Sequence, residues 1–489
     1  MPNKIQLPIA NGFYASESLP ISAQRCINWY PNIVQTQGLS QETLIGTPGI
    51  RQLVTTGVIN EQNRGIHVMS GICYFVNGES LYRLDRTIDA NGNDVFAYTP
   101  LGAILGAGPV SMADNGTQLM ILVPGGAGSI WVEGTSTFTA DINAVDSDFT
   151  TNGLPQIVVF IDGYFVCSTD SKKFISSAIN DGLSWNALDY GTAEADPDII
   201  RALFVFGNQL FIMGSETTQA VQNVGGTGFP FASIVGLVIP KGLYANFSIV
   251  ATSNSFMMLG GGVNESPAIW LFTGNGFDKI STTAIDNLLN NYTDMEIQDV
   301  VAVSYAEKGA YFTGFSLPDR DIYYDSITGR WHERATFDDG QLTGWRVGFM
   351  AAAYGRIIVG DSIDGRIGEL DTNLYTEYGN TIFRRIRTQP LHNLGNAISV
   401  VSLELTMESG SGDLVTVDPQ IRFRWSDDAR TYSNQLSRSF GKLGEYFKRS
   451  IWRRLGRIPR FRVFEFTLTD PVNPTVIKLE AQLKGSSRG

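Results

Sequence analysis

Histidine and cysteine are scarce in this chain, with three of each in 489 residues. Cys26, Cys73 and Cys167 are far apart, odd in number and form no Cys-x-x-Cys pair, so neither a disulfide framework nor a thiolate zinc site is expected. They read as buried free thiols of a protein folded in a reducing cytoplasm. His67, His332 and His392 never stand two or four residues apart, so a histidine metal site would need ligands from distant parts of the fold. Long apolar runs are missing too. Stretches such as LFVFGNQLFIM are broken by Gly and amides and fall short of the roughly 20 apolar residues that span a bilayer. The first residues, MPNKIQLPIANGFYASESLP, lack the continuous apolar core of a secretory signal, so a soluble protein without membrane insertion is expected.

The motifs of common chemistries are absent as well. No Gly-x-Ser-x-Gly elbow is present, and no cue pairs a Ser or Cys nucleophile with His. The glycine clusters PGGAGS, GGTGFP and LGGGVN neither continue to Gly-Lys-Ser/Thr nor open a helix, and they read as hairpin turns. DANGND begins like a calcium loop, with Asp89, Asn91 and Asn93 in ligand positions. Its sixth position is Asp94 and its twelfth Pro100, where Gly and Glu would be needed, so a plain turn is the better reading. Asp319, Asp321, Asp338 and Asp339 are the acids a propeller glycosidase would draw on. Acidic turns at a rim are commonplace, and no constellation identifies an enzyme. No catalytic, cofactor or metal residue is assigned.

What the chain does have is glycine, 52 residues of it, with 11% aromatics and a weak repeat. Seven copies of a Gly, Asn or Asp turn, an apolar strand, a Gly or Ser break and a second strand start near residues 72, 116, 163, 207, 254, 309 and 355. The spacings are 44, 47, 44, 47, 55 and 46 residues. A period in the mid-forties made of short strands fits propeller blades of about four strands, each with two apolar faces that only stacking around an axis can cover. INDGLSWNALDY keeps the Gly-x-Ser-Trp end of an Asp-box hairpin, with Asn180 in the usual Asp position, and YDSITGRWHE fits a kelch-like blade. The expected fold is therefore all-β: a β-propeller of about seven blades, six being possible, over 64–380. A β-rich platform domain is expected from an N-terminal arm, 1–63, and a C-terminal segment, 381–489. In that segment IRFRW and RFRVFEF alternate charges with apolar rings, as in a half-buried sheet with a charged face open to water or a partner.

Charge divides along the same line. Net charge is −12, but residues from 381 onward hold 18 Lys and Arg against 10 Asp and Glu, a net of +8 that leaves −20 on the remainder. The basic end includes SFGKLGEYFKRSIWRRLGRIPRFRVFEF, where Lys448, Arg449, Arg453, Arg454, Arg457, Arg460 and Arg462 interleave with Tyr446, Phe447, Trp452, Phe461, Phe464 and Phe466. Basic residues among aromatics are the pattern of a nucleic-acid groove. An acidic body with a basic end equally suits stacking on copies of itself or on other proteins.

RCINWYPNIVQTQGLSQETLIGTPGI, from Arg25 to Ile50, resembles a motif of the packaged-DNA-stabilisation proteins of short-tailed phages, also called tail hub or nozzle proteins. The matching positions are Arg25, Asn28, Trp29, Tyr30 and Pro31, then Gly46, Thr47, Pro48 and Gly49. The C-terminal run from Arg422 to Pro471 is similar to that family's ending. The resemblance implies a mechanical protein of the virion tail, made and assembled in the bacterial host cytoplasm. It would be a homohexameric ring below the portal and its adaptor ring that extends the DNA channel, retains packaged DNA and receives a tail fibre, tailspike or needle. Duplex DNA would pass through without sequence reading. The N-terminal motif residues are candidate contacts to a neighbouring ring, or else internal core and turn. Lys448, Arg449, Arg453, Arg454, Arg457 and Arg460 are candidates to face a neighbouring subunit or DNA. The competing readings are a propeller enzyme acting on polysaccharide and a DNA-binding module built on the basic segment.

Overall fold

Two-residue turns set the architecture. At Ser70-Gly71, Asp162-Gly163, Gly207-Asn208, Lys308-Gly309 and Tyr354-Gly355 both residues have positive φ. This is the type I′ geometry, whose twist matches that of the strands it joins. Each such turn links the first and second strands of a blade, and these are the turns that carry the sequence repeat. The computed structural model describes residues 3–57, 61–193, 198–225, 228–393, 396, 398–411 and 415–485.

Six sheets built from strands consecutive in the chain occupy 63–103, 111–139, 155–192, 200–239, 242–279 and 301–334. A seventh contains Val347–Ala353, Arg356–Asp361 and Arg366–Asp371, and its fourth strand is Gly49–Thr55 from the N-terminal region. Each blade touches the next, and Val347–Ala353 of the seventh lies against Asn63–Met69 of the first, closing the ring. The arm expected over 1–63 is therefore divided between two units. Residues 49–55 serve the propeller, because a ring of separate sheets has no bond between its last blade and its first unless one end of the chain is laid into the other. A lone strand far from its blade leaves no mark in the repeat.

The blade interfaces are apolar and aromatic. Phe211, Phe256 and Phe272 pack edge-to-face and stacked between the fourth and fifth blades. Tyr30, Tyr305, Phe312, Tyr323 and Trp345 fill the space between the sixth and seventh. Rings of this size bury large apolar areas, and their offset packing adds to that gain.

The chain ends form a two-sheet sandwich. One sheet runs Trp29–Ile33, Glu42–Gly46, Val476–Gly485, Ile398–Met407 and Ser450–Arg453, with Asn3–Leu7 and Arg457–Ile458 added at its margins. The other runs Ala23–Ile27, Arg384–Arg387, Phe461–Leu468, Gln420–Ser426 and Leu436–Ser439. Trp29, Leu403, Phe423, Trp452, Phe464 and Phe466 meet between them. The second sheet is continuous with the sixth blade, since Ile27 pairs in parallel with Glu333. The half-buried reading of RFRVFEF fails here. Every residue of Phe461–Leu468 is buried, because the charges on its outer side are neutralised inside the protein rather than left to water.

The closing strand makes a stability prediction. Ile50 is fully buried in it, so Ile50→Ala should cost about 2–4 kcal/mol in chemical denaturation. Ile327→Ala, at an exposed turn, should stay within about 0.5 kcal/mol.

Candidate functional site

The N-terminal motif is a rivet between the two domains. Asn28 sits in the left-handed region, φ 55°, a conformation Asn tolerates better than most residues. Its side-chain amide donates to the carbonyls of Ala335, 2.7 Å, and Phe383, 2.8 Å, and its amide oxygen accepts from Ala335 N–H at 3.1 Å. Its backbone N–H donates to Glu333 O, and its own carbonyl accepts from Thr47 N–H and Thr47 Oγ1. One residue thus ties the N-terminal region to the last strand of the sixth blade and to the chain entering the C-terminal segment. Trp29 beside it is fully buried, with its indole N–H on Pro474 O at 2.7 Å. Tyr30 turns the other way, packing edge-on to Phe312 in the propeller.

The turn GTPG is fixed by close approach. A Cβ on Gly46 would fall 2.0 Å from the Pro474 ring, and one on Gly49 would fall 2.5 Å from the carbonyls of Leu374 and Thr376. Thr47, Pro48 and Pro31 are buried as well. A contact to a neighbouring ring needs exposed side chains, and of the nine motif residues only Arg25 reaches solvent in part. Arg25 is held by Glu333 through both carboxylate oxygens. Burial, which would lower its pKa, is outweighed by that carboxylate, and the guanidinium is held above its ordinary range. The motif is placed as seam core and turn.

The basic run divides into two groups. Arg462 is buried, paired twice with Asp427 and donating to the carbonyls of Leu455 and Arg457. Arg449 makes a two-pronged pair with Glu404, and Lys448 stands 3.8 Å from Glu445. Arg453, Arg454 and Arg460 are exposed and make no ion pair among the described residues, and Arg457 is exposed beside them. Strand register gathers several of these cations. Arg453 lies opposite Ser402, while Ser399 faces Arg457 on one side and exposed Lys484 on the other. The rings do not line this strip. Trp452, Phe461, Phe464 and Phe466 point into the core, whereas Tyr446 and Phe447 are exposed in a loop outside it. The interleaving that resembled a stacking groove in sequence is thus separated in space.

A second charge ladder lies on the other sheet. Glu465 is buried among Arg385, Arg387 and Arg424. Burial raises its carboxyl, but the three guanidinium groups outweigh that and hold it below the usual range. Arg25, Arg320, Glu333 and Asp319 continue the line. The charged face read from the alternation exists, but much of its charge is spent internally.

The remaining polar candidates are scattered over the propeller. His67 bonds Asp114 at 2.6 Å, and His332 is fully buried among Tyr30, Phe312 and Tyr323. Asp321 is buried and accepts from Ser316 Oγ and Trp345 N–H, Asp319 pairs with Arg320, and Asp338 and Asp339 lie on an exposed turn. Asp89 closes its own turn by accepting from the N–H groups of Asn91 and Asn93. GGTGFP lies partly outside the described residues. The three cysteines are buried, and burial pushes the Cys73 thiol up to about 12. Among the described residues no group of three or more His, Cys, Asp or Glu could hold a metal, and no helix is long and apolar enough to cross a membrane.

Sequence reasoning missed Arg334 and Glu377, which sit where the seventh blade meets the sixth. The Arg334 guanidinium is enclosed by Tyr305, Phe312, Tyr323 and Trp345, with ring centroids 4.4–5.1 Å away. Nothing in WHERA distinguishes it from a surface arginine. Glu377 accepts from the Trp345 indole, 2.8 Å, and Thr336 Oγ1, 3.0 Å, and burial pushes its carboxyl up to about 7.

Residues 5–375 match the model of the bacteriophage P22 Gp10 β-propeller, and residues 384–484 match that of the bacteriophage P22 Gp10 β-sandwich. The chain belongs to the P22 Gp10 family. This is the packaged-DNA-stabilisation, or tail hub, family that the terminal motifs resemble, and it makes the chain a phage structural protein. No curated protein matches it. Among solved structures, the computationally designed Ika8 protein is 11% identical, with 66% of this chain and 99% of that one covered and a TM-score of 0.35. The WD40 β-propeller domain of Doa1 is 12% identical, with 65% and 97% covered and a TM-score of 0.39. Neither bears on function.

Three variants separate the roles assigned to this Gp10-family chain. Asn28→Ala should lose about 2–4 kcal/mol in chemical denaturation, from the lost hydrogen bonds and the strained backbone. Arg462→Ala should lose about 2 kcal/mol, whereas Arg453→Ala should change stability by less than about 0.5 kcal/mol. Glu377 makes stability depend on pH. Its folded-state pKa lies above the ordinary value, so the folded chain keeps a proton that the unfolded chain has released. Stability should therefore fall as pH rises from about 4.5 to about 7. Glu377→Gln should remove a decline on the order of 1–3 kcal/mol, read as the midpoint of denaturation at pH 5 and pH 8.

Proposed function

We propose that this chain is the subunit of a homohexameric ring in the virion tail, set below the portal and adaptor ring. There it continues the DNA channel, retains the packaged genome and receives a fibre, spike or needle. The observation that carries the reading is the separation of charge between two domains that are both those of the Gp10 family. An acidic propeller is joined to a sandwich whose surplus cations gather at one edge. Unlike charges on two surfaces of one subunit favour head-to-tail contact, and such contacts close into a ring when the rotation between copies closes. Acidic walls also suit a conduit, because each phosphate contact would slow the departure of the DNA.

In this reading Arg453, Arg454 and Arg460, with Arg457 beside them, meet acidic surfaces of the neighbouring copy or of the adaptor. Direct contact of the same strip with the duplex is the second reading, favoured by the exposure of these cations. Heads that package DNA without this protein distinguish the two. Adding the wild-type chain should hold the genome in, and Arg453→Glu with Arg454→Glu should abolish that by preventing attachment. If the double variant attaches normally but binds duplex DNA with a shallower salt dependence, the strip serves DNA. If the wild-type chain neither attaches to such heads nor alters DNA retention, the tail assignment is wrong.

A further inference from the structure

Phe447 is the most exposed large apolar side chain among the described residues, at 97%. It stands at the tip of the loop 441–449, with Tyr446 and Leu443 also exposed and Val417 on the loop packed alongside. The tip is firmly presented. Gly444 N–H donates to Gly410 O, Ser409 Oγ donates to Tyr446 O at 2.7 Å, and Phe440 N–H donates to Pro419 O above a buried Phe440 ring. The Tyr446 ring lies so close to Gly410 that a Cβ there would fall 2.7 Å from it. Lys442 and Lys448 flank the aromatic tip and are exposed. Holding a phenylalanine in water on a braced loop wins nothing for the isolated chain, and patches of this kind mark contacts.

A hollow of the opposite character lies on the propeller. About 480 Å³ in volume, it lies where the innermost strands of the first, sixth and seventh blades begin, at the axial mouth away from the type I′ turns. Val301, Leu317, Phe349 and Ile363 line it, Glu296 and Asp299 stand at its rim, and no Lys, Arg or His takes part. The other sizeable hollows fit a basic aromatic tip less well. One pairs Glu369 and Asp371 with Arg51 and Arg356, one contains Arg201, one is lined by Arg25, Arg320 and Arg385, and a fifth, of about 510 Å³, has no carboxylate in its lining.

We propose that the Phe447 tip of one copy docks into this axial hollow on the propeller of the next, with Lys442 and Lys448 meeting Glu296 and Asp299. The occupant is a second copy of this chain, because charge and shape match within it: a basic domain carrying an apolar knob and an acidic domain carrying an apolar socket. The contact is head-to-tail, so each copy uses its own knob and socket once. The inference rests on the ring reading above and adds the surfaces that would make the ring.

The test is a disulfide across the contact. Native cysteines are buried, so the full-length chain carrying Phe447→Cys and Ile363→Cys reports only on this pair. Mild oxidation of assembled rings, on heads or in concentrated solution, should give a ladder of linked chains up to the ring size. Each single variant should give none. Phe447→Asp, with unchanged thermal melting, should reduce ring assembly at least tenfold. Rings that form normally with Phe447→Asp, or that never link through the two cysteines, overturn the proposal while leaving the ring intact. Phe447-dependent binding to anionic phospholipid vesicles without cross-linking overturns it in favour of a lipid surface. Failure of the wild-type chain to form rings in either setting removes the ring reading and this contact with it.

Discussion

Asn28 is the point on which both domains depend. Its left-handed backbone reverses the chain between Ala23–Ile27, which belongs to one sandwich sheet, and Trp29–Ile33, which belongs to the other. Its side chain then fastens this crossing to Ala335 and Phe383. After the strands Trp29–Ile33 and Glu42–Gly46 the chain has only to pass GTPG, where Gly46 admits the Pro474 ring and Gly49 the carbonyls of Leu374 and Thr376, to lay Gly49–Thr55 into the seventh blade. Sandwich folding and propeller closure therefore share one short segment. Loosening that segment would open the ring of blades and expose the aromatic interface between the sixth and seventh at once. The two domains are joined through this one seam.

Electrostatics follows the same economy. Part of the sandwich's charge is paired within the chain: Arg449 pairs with Glu404 at the surface, Arg462 is buried against Asp427, and Glu465 is buried among three arginines. Buried pairs of this kind add little net stability over an apolar alternative but are costly to break. The cations left over at one sheet edge thereby stand out as surplus, available to a partner of opposite sign. The propeller supplies that sign in excess.

Much of this was legible in the sequence, for identifiable reasons. Type I′ turns require positive φ at both residues, so a Gly stands in each of them and recurs at blade spacing, revealing the propeller even without a strong consensus. Arg25 to Gly49 stood out as a motif because left-handed backbone, close approach and a buried Trp-Tyr pair constrain many residues at once. The closing strand Gly49–Thr55 was not legible, because pairing across 300 residues leaves no local trace. Nor was the burial of Phe461–Leu468. Alternation shows that two faces differ in character, and it cannot show that Glu465 faces a cluster of arginines rather than water. The basic run misled for a related reason. Neighbours in sequence, Phe447 and Trp452 end on opposite sides of the protein surface, one exposed and one in the core.

A ring through which DNA passes is the proposed use of the seam, the closed propeller and the divided charge. Imaging the protein on phage particles from which it can be removed and restored tests this most directly. The expected result is a six-fold ring with an open central bore beneath the head, the sandwich and propeller domains of each copy touching those of its neighbours. A chain that decorates the particle as isolated monomers, or sits away from the DNA axis, would contradict it.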